Sequence, residues 1–172
     1  MGIQRNLFES HNYIYSDDDG SRIPDKFTGL TFKNNAYLLA GVGFNAGKKS
    51  NISIQSGYIG IYGDRRAIPV LLRYKYAAKG SAADGAILIA GGGIGFPTGS
   101  SSSVIIANGS VGGGYRLVLG SNTSIDIQCT ARLTYDKPQV YQKGSNRPVP
   151  DSRVLRNNAF YVSLNAGIAV NF

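Results

Sequence analysis

The last fifteen residues, 158–172, read NAFYVSLNAGIAVNF. Apolar residues alternate along it with small or polar ones. Because the side chains of a β-strand point alternately to its two faces, this pattern predicts a strand with one apolar face and one small, polar face. The stretch is longer than the roughly 9 to 11 residues with which a tilted strand crosses a bilayer. The apolar face would carry Phe160, Val162, Leu164, Ala166, Ile168, Val170 and Phe172.

The same alternation divides the rest of the chain into strands. One further stretch, Ile3–Tyr15, is less regular because Arg5, Glu9 and His11 share a face with its apolar residues. Either a β-bulge or a strand that lies only partly in lipid would explain this. No helical periodicity stands out. The sequence therefore predicts an all-β protein with one domain, residues 1–172, folded as a single closed antiparallel up-and-down transmembrane barrel of eight strands. Besides Ile3–Tyr15, the predicted strands are Asn34–Ala46, Ile52–Tyr62, Ile68–Tyr76, Ala86–Phe96, Val104–Leu119, Ser124–Tyr135 and Asn158–Phe172.

The composition fits such a barrel and argues against several other classes of protein. Only 16% of the residues are charged and 23 of 172 are Gly. Cys129 is the single cysteine, so an intrachain disulfide and a Cys-rich zinc site are excluded. No apolar run reaches the length of a transmembrane helix. The net charge of +8 is scattered along the chain, which disfavours a nucleic-acid-binding stripe.

The charged residues of the seven regular strands predict which face is inside. All of them lie opposite the aliphatic face. A Lys or Arg on a lipid-facing position costs about 2–4 kcal/mol at the bilayer midplane, so the aliphatic face is expected to meet lipid. A soluble, lipocalin-like lipid-binding barrel is the alternative, with the faces reversed. In the membrane barrel, the lumen is expected to contain Arg73, Lys75, Arg116, Asp126 and Arg132. These side chains would leave little open channel, and their net positive charge would favour anions.

The lengths of the connections predict the orientation. Outer-membrane barrels have short periplasmic turns and longer outside loops. By this rule both termini are periplasmic, and the outside loops are Ser16–Lys33, Gly63–Ala67, Pro97–Ser103 and Asp136–Asn157. An aromatic girdle at the membrane interfaces is predicted from Tyr58, Tyr62, Tyr74, Tyr76, Tyr115 and Tyr135.

Three motifs make the chain resemble the outer-membrane β-barrel proteins of Bacteroidetes. They are IPVLLRYKY at 68–76, SVGGGYR at 110–116 and the closing GIAVNF at 167–172. The resemblance implies a small barrel in a Gram-negative outer membrane, with a structural or interaction role or a narrow porin-like channel, and no defined catalytic activity or cofactor. It also implies that the terminal Phe172 is similar to the signal read by the outer-membrane assembly machinery.

One catalytic alternative is a lipid-modifying hydrolase that uses Ser10 and His11. Adjacent strand residues point to opposite faces, so these two side chains would not meet without a bulge. Glu9 and His11 share a face and are expected to form a polar pair. The acidic run Asp17–Asp19 lacks the ligand spacing of a calcium loop, and no metal site is predicted.

The predicted outside loops are basic. Arginine pairs well with phosphate through its planar guanidinium group. We therefore expect these residues to contact lipopolysaccharide phosphates, a solvated basic loop being the alternative. The expected partners are outer-membrane lipid, lipopolysaccharide and the assembly machinery, with no nucleic acid, and the protein is expected to be a monomer. The residues are Arg65, Arg66, Lys143, Arg147, Arg153 and Arg156.

Overall fold

The computed structural model of the protein describes residues 1–63, 65–98, 105–145 and 147–172. Eight antiparallel strands follow one another around a closed barrel, and β1 pairs with β8 to complete the ring. This confirms the predicted all-β, up-and-down architecture. Across the described residues no helix is long and apolar enough to cross a membrane. The strands are β1 (Gly2–Ser16), β2 (Arg22–Asn45), β3 (Ser50–Tyr62), β4 (Arg65–Ala77), β5 (Gly85–Thr98), β6 (Ile106–Val118), β7 (Ser124–Asp136) and β8 (Val154–Asn171).

The two faces of the wall are as the alternation predicts. Most of the large apolar side chains point outward, where Val42 is 80% exposed and Val111 and Leu88 are each 64% exposed. Polar and charged side chains point inward, where Asp126 has no exposed surface. The barrel therefore has an apolar outside and a largely polar inside, which is the reverse of a water-soluble barrel.

Strand β1 contains a bulge, which was one of the two explanations offered for its irregular pattern. Its pairing with both neighbours shifts register between Asn6 and Phe8. The shift turns Glu9 inward although Arg5, an even number of residues earlier, is exposed on the outside. The Arg5 guanidinium lies 5.2 Å from the ring centre of Phe32, so the outer face of β1 carries a charge held over an aromatic ring.

The prediction of a long loop at Ser16–Lys33 is wrong. Only Asp17–Ser21 form the turn, in which the Asp17 backbone N–H donates to the Ser21 carbonyl, and β2 begins at Arg22. The first half of β2 was missed because its outward residues include Lys26 and Thr28, so apolar and polar residues do not alternate there. This half pairs with β1 and extends past the end of β3, whose pairing with β2 runs from residue 37 to 45.

The β3–β4 and β7–β8 connections are also shorter than predicted. The β3–β4 connection is shorter than Gly63–Ala67, because β3 ends at Tyr62 and β4 already starts at Arg65. The β7–β8 connection spans 137–153 rather than Asp136–Asn157. Val104, the predicted start of the sixth strand, and most of the predicted Pro97–Ser103 loop lie outside the described residues.

The two ends of the barrel differ in the connections that they carry. Both termini lie at one end, together with the turns after β2, β4 and β6; we call this the termini end. The opposite end, with the connections after β1, β3, β5 and β7, is the loop end. The β7–β8 connection at the loop end is folded: Val140 and Val149 are buried against Tyr15, and Tyr141 forms a bridge with Pro148.

Candidate functional site: the lumen and the loop end

The lumen near the termini end is held by an ion network. Asp126, on β7, accepts hydrogen bonds from Lys75 Nζ at 2.8 Å and from Arg116 Nε and Nη2 at 2.7 and 2.9 Å. Lys75 also donates to Asn171 Oδ1 at 2.8 Å. Arg116 Nη1 donates to the Ser81 carbonyl at 3.2 Å. One buried carboxylate thus links β4, β6, β7 and, through Lys75, β8.

Two further arginines lie above this network. Arg132 Nη1 donates to Gln4 Oε1 at 2.8 Å, and its guanidinium is 5.7 Å from the ring centre of Tyr37. Arg73 Nη1 donates to Gln55 Oε1 at 3.3 Å. Within the described part of the chain, no carboxylate pairs with either guanidinium. We call Arg73, Lys75, Arg116, Asp126 and Arg132 the cationic section; all five predicted lumen residues face inward.

Toward the loop end the lumen is filled by apolar side chains, which the sequence did not predict. Ile59, Ile61 and Ile106 are each at most 1% exposed. The available signal was the short runs in which both faces are apolar, such as Tyr58 to Ile61. We call the cluster the apolar section; its members are Tyr37, Ile59, Ile61, Ala67, Ile106, Ala159 and Tyr161.

A polar layer from β1 joins the two sections. Asn6 Nδ2 donates to the Ile61 carbonyl at 2.7 Å, and Gln4 Nε2 donates to the same oxygen at 3.3 Å. Gln4 also accepts from Arg132, so it links the apolar section to the cationic one. Gln4 and Asn6 precede the bulge and are buried. Beyond the bulge the buried position shifts to an odd-numbered residue, Glu9.

Above the apolar section, a second buried ion pair closes the lumen. The Arg65 guanidinium donates to both carboxylate oxygens of Asp136, and the Nη2–Oδ1 distance is 2.9 Å. Asp136 has no exposed surface. Tyr62 stacks on Tyr161 with ring centres 5.0 Å apart, so Tyr62 points inward and is not part of an outer girdle. Among the other predicted girdle residues, Tyr58, Tyr74 and Tyr115 are exposed on the outside.

Ser10 and His11 do not come together. Ser10 lies on the outer face, where its hydroxyl is 3.0 Å from that of Thr28. His11 lies inside, with Nδ1 3.0 Å from Glu9 Oε1 and its ring stacked on Tyr13. The expected Glu9–His11 pair is present, and the nucleophile–base contact that a hydrolase needs is not formed. The described residues hold no group of three His, Cys, Asp or Glu side chains placed for a metal ion.

The arginines predicted in outside loops have three different environments. Arg65, Arg66 and Arg156 lie in strands, and this part of the prediction is wrong because β4 and β8 begin earlier than expected. Arg65 points into the lumen, whereas Arg66 and Arg156 are exposed. Arg153 is ion-paired with Asp18 of the β1–β2 turn.

The other two basic residues lie in the folded β7–β8 connection. Arg147 is exposed, and the Lys143 backbone N–H donates to Tyr15 Oη at 2.9 Å. The connection and the β1–β2 turn enclose a cleft of about 270 Å³ that is lined by both charges, including Asp17, Asp18, Arg147 and Arg153.

The openings along the lumen have very different sizes. At the termini end an opening of about 600 Å³ reaches Arg73 and Lys75. Between Arg73 and Arg132 the cavity shrinks to about 20 Å³. Phe172, at the rim of the wide opening, is 95% exposed. The lumen is therefore accessible from the termini end and filled above it.

Comparison of the chain with models of known protein families, with curated proteins and with solved structures finds no match.

Proposed function

We propose that this protein is a small outer-membrane β-barrel of a Gram-negative bacterium, with a structural or binding role and no catalytic activity. The observation that carries the proposal is the inverted distribution of side chains. Ile54, Leu72 and Ile127 are 57%, 57% and 53% exposed on the outside, while Asp126 is buried inside. Monomeric soluble proteins rarely expose apolar surface that continues around the whole molecule. Lipid would cover it and would also explain why the charges are inside.

Both termini lie at the same end of the barrel, and this gives the proposed orientation in the membrane. In this proposal both termini are periplasmic, and the exposed Phe172 is available to the assembly machinery, as the resemblance to the Bacteroidetes barrels implies. The loop end then faces the outside. Because the sheet closes on itself, the barrel needs no second copy to satisfy its strands, and we propose a monomer.

The filled lumen favours a structural or binding role over conduction. A permeating ion would have to displace the Arg65–Asp136 pair and the packed Ile59, Ile61 and Tyr161. A narrow porin-like channel is the second candidate, because the wide opening at the termini end reaches Arg73 and Lys75 and resembles a vestibule. Planar-bilayer recordings separate the two: we expect no steady conductance steps, and steps of constant size that need the folded barrel would favour the channel.

The exposed cations of the loop end support a contact with lipopolysaccharide. Arg66 and Arg156 project outward near the top of the wall, where the phosphates of the outer leaflet would lie, and Lys26 projects outward on β2 beside β1. Arg65 is removed from the expected contact set, because its guanidinium is bound to Asp136 inside the lumen. Arg147 adds an exposed cation in the loop.

Membrane residence is tested by purification with and without detergent, followed by dodecyl sulfate gels of boiled and unboiled samples. We expect the folded protein to need detergent and to migrate differently before boiling, because a closed barrel resists the detergent until it is heated. A monodisperse monomer in plain buffer with unchanged migration would contradict the proposal. That result would make the lipocalin-like alternative the one to test.

Lipopolysaccharide contact is tested with the double variant Arg66→Glu/Arg156→Glu. We expect affinity for purified lipopolysaccharide, measured by calorimetry in detergent micelles, to fall at least about tenfold, since each charge-assisted hydrogen bond contributes about 1.5–3 kcal/mol. The matched control is Lys48→Glu/Lys49→Glu, which changes the charge equally at the opposite end of the barrel. Equal losses in both variants would show that the contact is not at the loop end.

A further inference from the structure

The cationic section has more positive charge than its own carboxylate can balance. Arg73, Lys75, Arg116 and Arg132 face the lumen there with Asp126 as their acid, and the other acids of the described strands, Glu9, Asp25 and Asp136, lie toward the loop end. Lys75 and Arg116 both use Asp126. A buried charge without a counter-charge is costly, so the unbalanced arginines need an anion or water beside them.

The two arginines without a carboxylate partner line the same small cavity. Arg132 is 6% exposed and Arg73 is half-buried. The cavity between them measures about 20 Å³. This volume holds one occupant of about the size of a water molecule. A single small ion or a water molecule fits such a space better than a polyatomic anion such as phosphate or a lipid headgroup.

The polar groups around the cavity are mainly donors. A guanidinium has five N–H donors and no acceptor, and Arg73 and Arg132 each use one of theirs on a glutamine side chain. Ser110 and Thr130 add hydroxyl groups that can donate. Gly91, with no side chain, leaves the space open: a Cβ there would lie 3.4 Å from Ser110 Oγ.

We propose that the barrel binds a single halide ion, chloride under ordinary conditions, in the lumen between Arg73 and Arg132. The ion offsets part of the excess charge of the cationic section and accepts the unused N–H groups. It reaches the site through the wide opening at the termini end, which is lined by Arg73 as well. The proposal rests on the lumen alone and holds whether or not the loop end contacts lipopolysaccharide.

The experiment compares thermal unfolding of the full-length barrel in sodium chloride, sodium bromide and sodium gluconate at equal ionic strength. Gluconate is too large for the cavity and controls for screening of charge. We expect the midpoint to be about 2–4 °C higher in either halide, which is the shift that 1 kcal/mol gives for a chain of this length. The halide-dependent shift should disappear in Arg132→Gln and in Arg73→Gln and persist in Lys49→Gln, which removes an exposed cation from the β2–β3 turn.

The wild-type protein also gives a direct readout, so the test does not depend on the folding of a variant. Crystals grown in bromide should give an anomalous difference peak between the guanidinium groups of Arg73 and Arg132. Equal midpoints in halide and gluconate together with no such peak would overturn the proposal. A peak confined to another part of the molecule would overturn it as well.

Discussion

The two sections of the lumen fill the same space in opposite ways. Near the termini end, Asp126 holds two cations beside a small buried cluster of Ala77, Ile87 and Ile89, and two more cations lie above it. Near the loop end, packed isoleucines and tyrosines fill the lumen without charges. Both sections are built on the inward positions of the same strands. An inward position in a small barrel therefore needs a side chain that is either packed against apolar neighbours or paired with a polar or charged partner.

The largest predicted effect comes from breaking the ion network with Asp126→Asn. Lys75 and Arg116 would then be buried without a counter-charge, and removing one partner of a buried ion pair costs about 3–5 kcal/mol. We expect the free energy of unfolding, measured by urea titration in lipid vesicles, to fall by that amount. A loss below about 1 kcal/mol would mean that water or another anion replaces the carboxylate, and that the network contributes little.

A matched variant separates the cost of unpaired charge from the value of the network. In Lys75→Met/Arg116→Met/Asp126→Leu all three charges are replaced together by apolar groups. Replacing a whole buried ion network in this way is often neutral or stabilising. We therefore expect the triple variant to recover most of the stability that Asp126→Asn loses. If it stays as unstable as the single variant, packing rather than charge governs this section too.

The next effect concerns the apolar section. Ile61→Ala should lower the free energy of unfolding by about 3 kcal/mol, because a buried large-to-small substitution loses transfer energy and leaves a cavity. The control is Ile54→Ala on the same strand, where the side chain is 57% exposed and no cavity can form. The measurement is again urea unfolding. Equal losses in the two variants would show that the lumen is loosely packed at the loop end.

The sequence was sufficient for the wall and for the cationic section. In residues 124–135 apolar and polar residues alternate without a break, and this fixes both the strand and the direction of Asp126 and Arg132. A charge has a strong preference for one face when the other meets lipid, so the direction of Arg73 was predictable as well. In a strand without a bulge, charged and apolar residues of β1 would share one face. This irregularity in the sequence pointed to a bulge as one of two explanations.

The apolar section and the loop end could not be predicted from alternation. Ile61 is inward and Ile54 is outward, and their residue type does not distinguish them because both surroundings are apolar. The start of β2 gave no signal, since polar and apolar residues are mixed on both of its faces there. Arg65 was expected in an outside loop, in contact with lipopolysaccharide. Its inward direction depends on Asp136, which is far away in the sequence and becomes its partner only in the closed barrel.

The smallest predicted effect tests what orders the loop end. Arg153 and Asp18 are ion-paired, but their side chains are 45% and 75% exposed, and such a pair contributes about 0–1 kcal/mol. Asp18→Asn should therefore leave both the unfolding free energy and the rate of trypsin cleavage within 137–153 nearly unchanged. Val149→Ala, which removes contacts with Tyr15, should accelerate that cleavage. If Asp18→Asn accelerated it more than Val149→Ala did, the connection would be held by charge, and the contrast between a charged termini end and a packed loop end would not extend beyond the lumen.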